Sequence, residues 1–420
     1  MESPLHSLCQ RTHQGSDSNK WQSIEVGILF SKAVQTTNHP CLSICNIVGR
    51  IRERRVLVRN RFITFIFVVL ALGNCGCEKD NVLAPPSSWD LSGRIIFNVE
   101  WGNIYALDMS SPLLPLTTLA SGGEPRVSPD GRTIVYDAVS PQGRLDICVV
   151  SVTGGTATNL TNNPVHSNTD SWPDWSPDGN SIVFNRVHFP STKEALYVMN
   201  KDGSNLHALT DTSSLAVAFM PRWSPDGSKI AFIGRVELIP VGETKYSLYT
   251  TTPDGLMELL ADQPALVIPR WSPDSRQIAY GRTFHNLGDT TGGVYVVDVV
   301  TKVSQKIDWG STPSFLDGFS WLPDGTLICV ARNAADTTYV VFVSSRSSSA
   351  NQKILVTGFK DIPTTCPSPD GRFITIFGQR KDDAALTVYI VGADGTNFRK
   401  LKDTGISGHI TDYYYAQWIK

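Results

Sequence analysis

Pro221–Phe232 reads Pro-Arg-Trp-Ser-Pro-Asp-Gly-Ser-Lys-Ile-Ala-Phe, and it has the make-up of a β-hairpin. In Ser224-Pro225-Asp226-Gly227 the proline ring sets φ for the second position of a type I turn. The aspartate bonds to backbone ahead of it, and the glycine accepts the left-handed conformation that closes the turn. Trp223 and Ile230-Ala231-Phe232 then fall on the two strands that the turn joins. Versions of this turn begin at Ser128, Ser176, Ser224, Ser272, Leu322 and Ser368, at steps of 48, 48, 48, 50 and 46 residues. A repeat of that length, made only of strands and turns, specifies a β-propeller.

Each repeat has a second half as regular as its first. After Pro221–Phe232 the pattern is a third strand, a polar turn and a short fourth strand; the preceding repeat shows it at 195–200, 201–204 and 206–210. The ends of the array are complementary. Arg94–Phe97, Asn103–Asp108 and Leu116–Leu119 look like strands two to four of a repeat that lacks its first. Tyr413–Trp418 supplies such a strand, with Trp418 in the place of Trp175, Trp223, Trp271 and Trp321. One blade built from both termini would close the ring and remove exposed sheet edges. The expected fold is therefore all-β, a propeller of seven four-stranded blades, with six blades as the alternative.

Composition narrows the function classes. With 37 Lys and Arg against 39 Asp and Glu, the net charge is −2 and the pI about 6.4. No basic field or block of like charge suits nucleic acid. Five of the eight cysteines precede the repeats, and Cys148, Cys329 and Cys366 stand alone in predicted strands, which is no disulfide framework. No phosphate-cradling glycine loop and no nucleophile elbow occurs, and no cofactor is expected.

The front of the chain carries the address. Arg52, Arg54, Arg55, Arg59 and Arg61 lead into the apolar run Phe62–Leu72, followed by Gly73-Asn74-Cys75-Gly76-Cys77. These are the basic, apolar and small-residue parts of an export signal, and the run is short against the roughly 20 residues of a membrane-spanning helix. The expected organisation is an unassigned stretch over 1–55, which lies outside the translated protein if synthesis starts near Val56 or Val58. The signal follows over 56–77, a tether over 78–91 and the propeller over 92–420. Leu72-Gly73-Asn74-Cys75 resembles the lipobox of bacterial lipoproteins, which implies diacylglycerol on Cys75, with Cys77 as the alternative.

The block repeated at Pro221–Phe232 and Pro269–Tyr280 closely resembles the propeller repeat of TolB and its relatives, over about Ser92 to Lys420. That resemblance implies a periplasmic protein and, for TolB itself, a small α/β domain ahead of the propeller and a peptidoglycan-associated lipoprotein as partner. Here only the tether stands between the signal and the first strand. Other relatives imply a gate on serine peptidases or a sugar-lyase ring.

Two functions fit these readings. The first is a lipid-anchored, non-catalytic binding scaffold for an envelope protein or polysaccharide, periplasmic or surface-exposed in the bacterial cell envelope. The second is a propeller enzyme, a polysaccharide lyase or hydrolase acting at the channel mouth. Propeller geometry sets the Ser-Pro-Asp-Gly turns on one face and the longer, variable loops on the other, where binding is usually found. Arg186, Arg235, Arg282, Arg332 and Arg380 recur where strand two ends. They are the ligand-binding candidates, suited to carboxylates, against a local role in pairing aspartates of their own blades. His166, His188 and His285 fall in or near loops of the variable face and are the metal candidates that the enzyme reading needs, although no pair has short ligand spacing. Ser275 holds a glycine position, where the left-handed conformation costs a side chain roughly 1 kcal/mol, so Ser275→Gly is expected to stabilise.

Overall fold

The Ser-Pro-Asp-Gly turns form as their residues dictate. In the computed structural model the Ser224 hydroxyl donates to Asp226 Oδ1 (2.6 Å) and accepts the Lys229 N–H (3.0 Å), while Asp226 Oδ1 accepts the Ser228 N–H (3.0 Å). Gly227 N–H closes the turn on Ser224 O (2.9 Å) with φ of 75°. The same bonds recur from Ser128, Ser176, Ser272 and Ser368. Leu322 replaces the serine once, and there the Asp324 carboxylate and the backbone closure carry the turn.

The structure describes residues 91–420 except 100–101, 112, 164–167, 192, 214, 236–245, 263–267, 283–292, 308–312, 334–337, 345–352 and 407–414. All of them belong to the unit Asp80–Lys420. The export signal, Cys75 and Cys77 lie outside the described residues, as do His166 and His285.

Every regular element among the described residues is a strand. The chain runs through β1 (Arg94–Asn98), β2 (Asn103–Asp108) and β3 (Leu116–Ser121), then β4 (Gly123–Val127), β5 (Thr133–Val139), β6 (Leu145–Ser151) and β7 (Thr158–Asn159). Next come β8 (Asn168–Trp175), β9 (Ser181–His188), β10 (Lys193–Asn200) and β11 (His207–Ala208), followed by β12 (Val217–Trp223), β13 (Ile230–Arg235), β14 (Ser247–Thr251) and β15 (Met257–Asp262). A further four are β16 (Arg270–Trp271), β17 (Gln277–Arg282), β18 (Gly293–Asp298) and β19 (Ser304–Lys306). The last are β20 (Pro313–Trp321), β21 (Leu327–Asn333), β22 (Tyr339–Ser344), β23 (Lys353–Pro367), β24 (Phe373–Arg380), β25 (Thr387–Gly392), β26 (Arg399–Asp403) and β27 (Ala416–Ile419). Neighbouring strands pair antiparallel in four-stranded sheets of consecutive strands from β4 to β19.

Two departures from that plan matter. The C-terminal strand β27 joins β1, β2 and β3, with Trp418 opposite Ile95, so one sheet is made from both ends of the propeller. Strands β20 to β26 form a single seven-stranded sheet, because β23 serves twice. Its first part pairs with β22 and its second with β24, and Phe359 is in register with both. Divided at Phe359, this sheet gives two four-stranded units.

Packing follows the sheets. Among the described residues the buried apolar side chains fall into seven clusters, each drawn from two neighbouring units. One joins Val183 and Leu196 to Ile230 and Phe232, and another joins Ile95 and Phe97 of the two-ended sheet to Phe377 and Val388. Both faces of the inner strands are thus buried, as in any ring of stacked blades. Cys148, Cys329 and Cys366 are free and buried within these clusters.

Candidate ligand site in the central channel

The first strand of each unit carries a Pro-x-Trp or related sequence, and in three of them a bulge sits just before it. Glu124, Trp172 and Met220 have φ of 44°, 58° and 55°, and the register of each strand slips there. The next residue is Pro125, Pro173 or Pro221, which cannot donate to the ladder, so the sheet accommodates it by bulging. The residue after that proline, Arg126, Asp174 or Arg222, lines a cavity of about 740 Å³. Arg270, Ser320, Cys366 and Gln417 hold the same position in the other first strands and line it too. With every unit contributing, this cavity is the central channel. Pro225, Pro273, Pro323 and Pro369 place it toward the Ser-Pro-Asp-Gly turns.

Tryptophans of the next unit hold the backbone of the arginines. Trp175 Nε1 donates to Arg126 O (3.1 Å), Trp271 Nε1 to Arg222 O (2.9 Å) and Trp321 Nε1 to Arg270 O (3.0 Å). Each indole thereby ties the wall of the channel to the neighbouring blade, as expected of a buried N–H that needs an acceptor.

The side chains form one charged cluster. Arg126 and Arg222 both approach Glu124 Oε2, with Nη2 at 4.0 and 3.6 Å, and Arg126 Nε lies 3.6 Å from Asp174 Oδ1. The Arg126 guanidinium stacks 3.6 Å from the ring centre of Tyr415, with Arg270 5.8 Å from the same ring. Arg126, Arg222 and Glu124 are each about 95% buried, at 4%, 5% and 4% exposure. Burial, then the like charge of Arg126, lowers the Arg222 pKa to about 9, and burial lowers that of Arg270 to about 10, so both carry charge at neutral pH. Burial raises the Glu124 carboxyl against the opposing pull of the three arginines. Close by, Asp137 accepts the Trp172 N–H (3.1 Å), and burial followed by repulsion from Glu124 lifts its pKa to about 7.

The five arginines singled out at the ends of the second strands stand elsewhere. Arg186 is spent on an ion pair: Nε and Nη2 bind Asp170 Oδ1 and Oδ2 of its own unit, both at 2.7 Å, in a buried network that reaches Asn163 and Asp146 of the preceding unit. Arg235 lies 5.9 Å from the Tyr246 ring, Arg282 5.6 Å from Tyr295, and Arg380 5.4 Å from Phe398. Arg332 sits in register opposite Phe315 and Tyr339. His188 Nε2 bonds Tyr197 Oη (3.0 Å), and no group of three metal-ligating side chains occurs among the described residues. The residues that converge are instead the middle members of Pro125-Arg126-Val127, Pro221-Arg222-Trp223 and Pro269-Arg270-Trp271, and the recurrence of arginine after proline was the sequence signal for them.

Comparison with known proteins agrees with this architecture. Residues 117–235 match the family model of the TolB beta propeller domain. Among solved structures the chain is similar to an oligogalacturonate lyase in complex with manganese, at a TM-score of 0.53 and 12% identity, covering 74% of this chain and 85% of that one. It is also similar to the β-propeller domain of the Trilobed protease from Pyrococcus furiosus, at 0.52 and 13%, covering 75% and 96%. A third is a Mycobacterium tuberculosis puromycin-hydrolyzing peptidase, at 0.53 and 14%, covering 74% of this chain and 52% of the peptidase. At such identities the likeness is one of fold. No curated protein matches the sequence. The molecule is a β-propeller. Over residues 117–235 its repeats match the TolB type.

Proposed function

We propose that this chain is an exported binding propeller, anchored in the bacterial cell envelope by lipid on Cys75 or Cys77, which receives an envelope protein or extended polysaccharide in its central channel and catalyses no reaction. The observation that carries the reading is the channel itself. A cavity of about 740 Å³ is walled by the rigid first strands of every unit and holds a cluster of charged groups fixed from behind by tryptophans. Volumes of roughly 300–1,000 Å³ with a few placed polar groups on an apolar wall are what ligand sites require. The basic, apolar and small-residue order of 52–77 supports export, and the Leu72–Cys75 stretch supports the anchor.

The test is capture from crosslinked envelopes with the full chain. It is run beside an Arg126→Gln/Arg270→Gln variant and beside a variant in which Arg186, Arg235, Arg282, Arg332 and Arg380 are all alanine. One envelope component retained by the parent and lost with the channel variant is the expected result. Loss only with the five-alanine variant moves the site to the variable face. Recovery of no component, or turnover of a polysaccharide by the parent, overturns the reading.

A further inference from the structure

We propose that Arg126, Arg222 and Arg270 form a receptor for a single carboxylate group of the channel's ligand, an inference that rests on the channel being the binding site. Arg126 Nη2 and Arg222 Nε and Nη2 are buried with no hydrogen-bond partner among the described residues, and so is Glu124 Oε2 between them. The acid approaches both guanidinium groups only at ion-pair distance, 4.0 and 3.6 Å. Buried guanidinium N–H groups without acceptors are costly, and a planar carboxylate meets two such forks at once.

Charge fixes the class of ligand more narrowly than the donors do. Three arginines face Glu124 and Asp174, which leaves one positive charge when both acids are ionised and the neighbouring buried Asp137 keeps its proton. A monoanion balances it, whereas a phosphate dianion would bring excess negative charge beside Glu124 at low dielectric. The rest of the ligand has Tyr415, Trp223, Trp271 and the turn prolines to lie against. Tyr415 adjoins the closing strand β27, so the receptor is complete only when the ring is shut.

A polypeptide C-terminus and a sugar acid both supply such a group, and the experiment separates them. The full chain is titrated calorimetrically with an acetylated tripeptide and with a hexuronate, each as free acid and as primary amide, and with inorganic phosphate. The expected result is at least tenfold tighter binding of one acid over its own amide, with phosphate weaker than that acid. That preference should vanish in Arg222→Gln and Arg270→Gln. Whichever acid shows it names the source. The comparison of acid with amide on the unaltered protein needs no variant to fold. Equal binding of acid and amide, or a preference kept by both variants, overturns the carboxylate receptor and leaves the binding propeller standing. Binding of phosphate alone, or of none of these probes, overturns it as well.

Discussion

Asp137 shows what one residue contributes to the channel and what it takes from the fold. It has no exposure to solvent, it accepts the Trp172 N–H, and burial, then Glu124, raises its pKa to about 7. In the unfolded chain the same carboxyl titrates near 3.9. Between those values the native protein binds the extra proton, so this group favours folding fully below about pH 4, and its contribution is lost as pH rises through about 7. The loss is on the order of 4 kcal/mol at most, since each unit is worth about 1.4 kcal/mol. Asp137→Asn keeps an acceptor and removes the ionisation, so urea unfolding should give a variant more stable than the parent at pH 8 and close to it at pH 4. Part of the slope should survive, because Glu124 is raised too. Parallel pH profiles for the two proteins would mean that Asp137 ionises normally.

At the scale of elements, the turn and the first strand it follows behave differently. The turns were legible in the sequence because each makes its bonds within six residues, Ser224 to Lys229 for example. Ser275 departs from the simple expectation. Its φ of 60° matches the 69° to 84° of the glycines in the sister turns, so the strain is present. Its hydroxyl, however, accepts the Asp226 N–H of the preceding turn at 3.0 Å. Glycine would relieve roughly 1 kcal/mol and lose a bond of about the same worth. Ser275→Gly should therefore leave the thermal midpoint nearly unchanged, while Ser275→Ala, which keeps the strain and loses the bond, should lower stability by about 1 kcal/mol. A clear gain for glycine would show that the inter-turn bond is worth little. The candidate site was less legible for the same kind of reason. Arg126, Arg222 and Arg270 are separated by whole repeats, and only closure of the ring sets them around Glu124 and Tyr415. The arginines ending the second strands recur just as regularly, yet Asp170, Tyr246, Tyr295 and Phe398, which meet four of them, lie on other strands or loops.

For the whole molecule the seam at β27 matters most. Trp418 packs in the cluster of Ile95, Phe97 and Phe377 and donates from Nε1 to Ser92 O (2.9 Å), while Gln417 Oε1 accepts the Val127 N–H of the next unit (3.2 Å). Trp418→Ala removes the largest side chain of the seam, and truncation of a buried tryptophan typically costs about 3–5 kcal/mol. The expected outcome is a loss of that size in unfolding by urea, with new association of molecules through the bared edge of β1. A loss below about 1 kcal/mol with no association would mean that the ring does not depend on its seam. The same seam gives the propeller a mechanical grain. Arg94, at the start of β1, lies opposite Ile419, at the end of β27, so the two chain ends leave the sheet side by side. Tension applied between them peels the strands apart one pair at a time, the geometry of a zipper. The weld made by β23, one unit away from that seam, is a continuous backbone and cannot peel. Pulled from its ends, this ring has one place to open, and it opens next to Tyr415, the residue that completes the charged cluster.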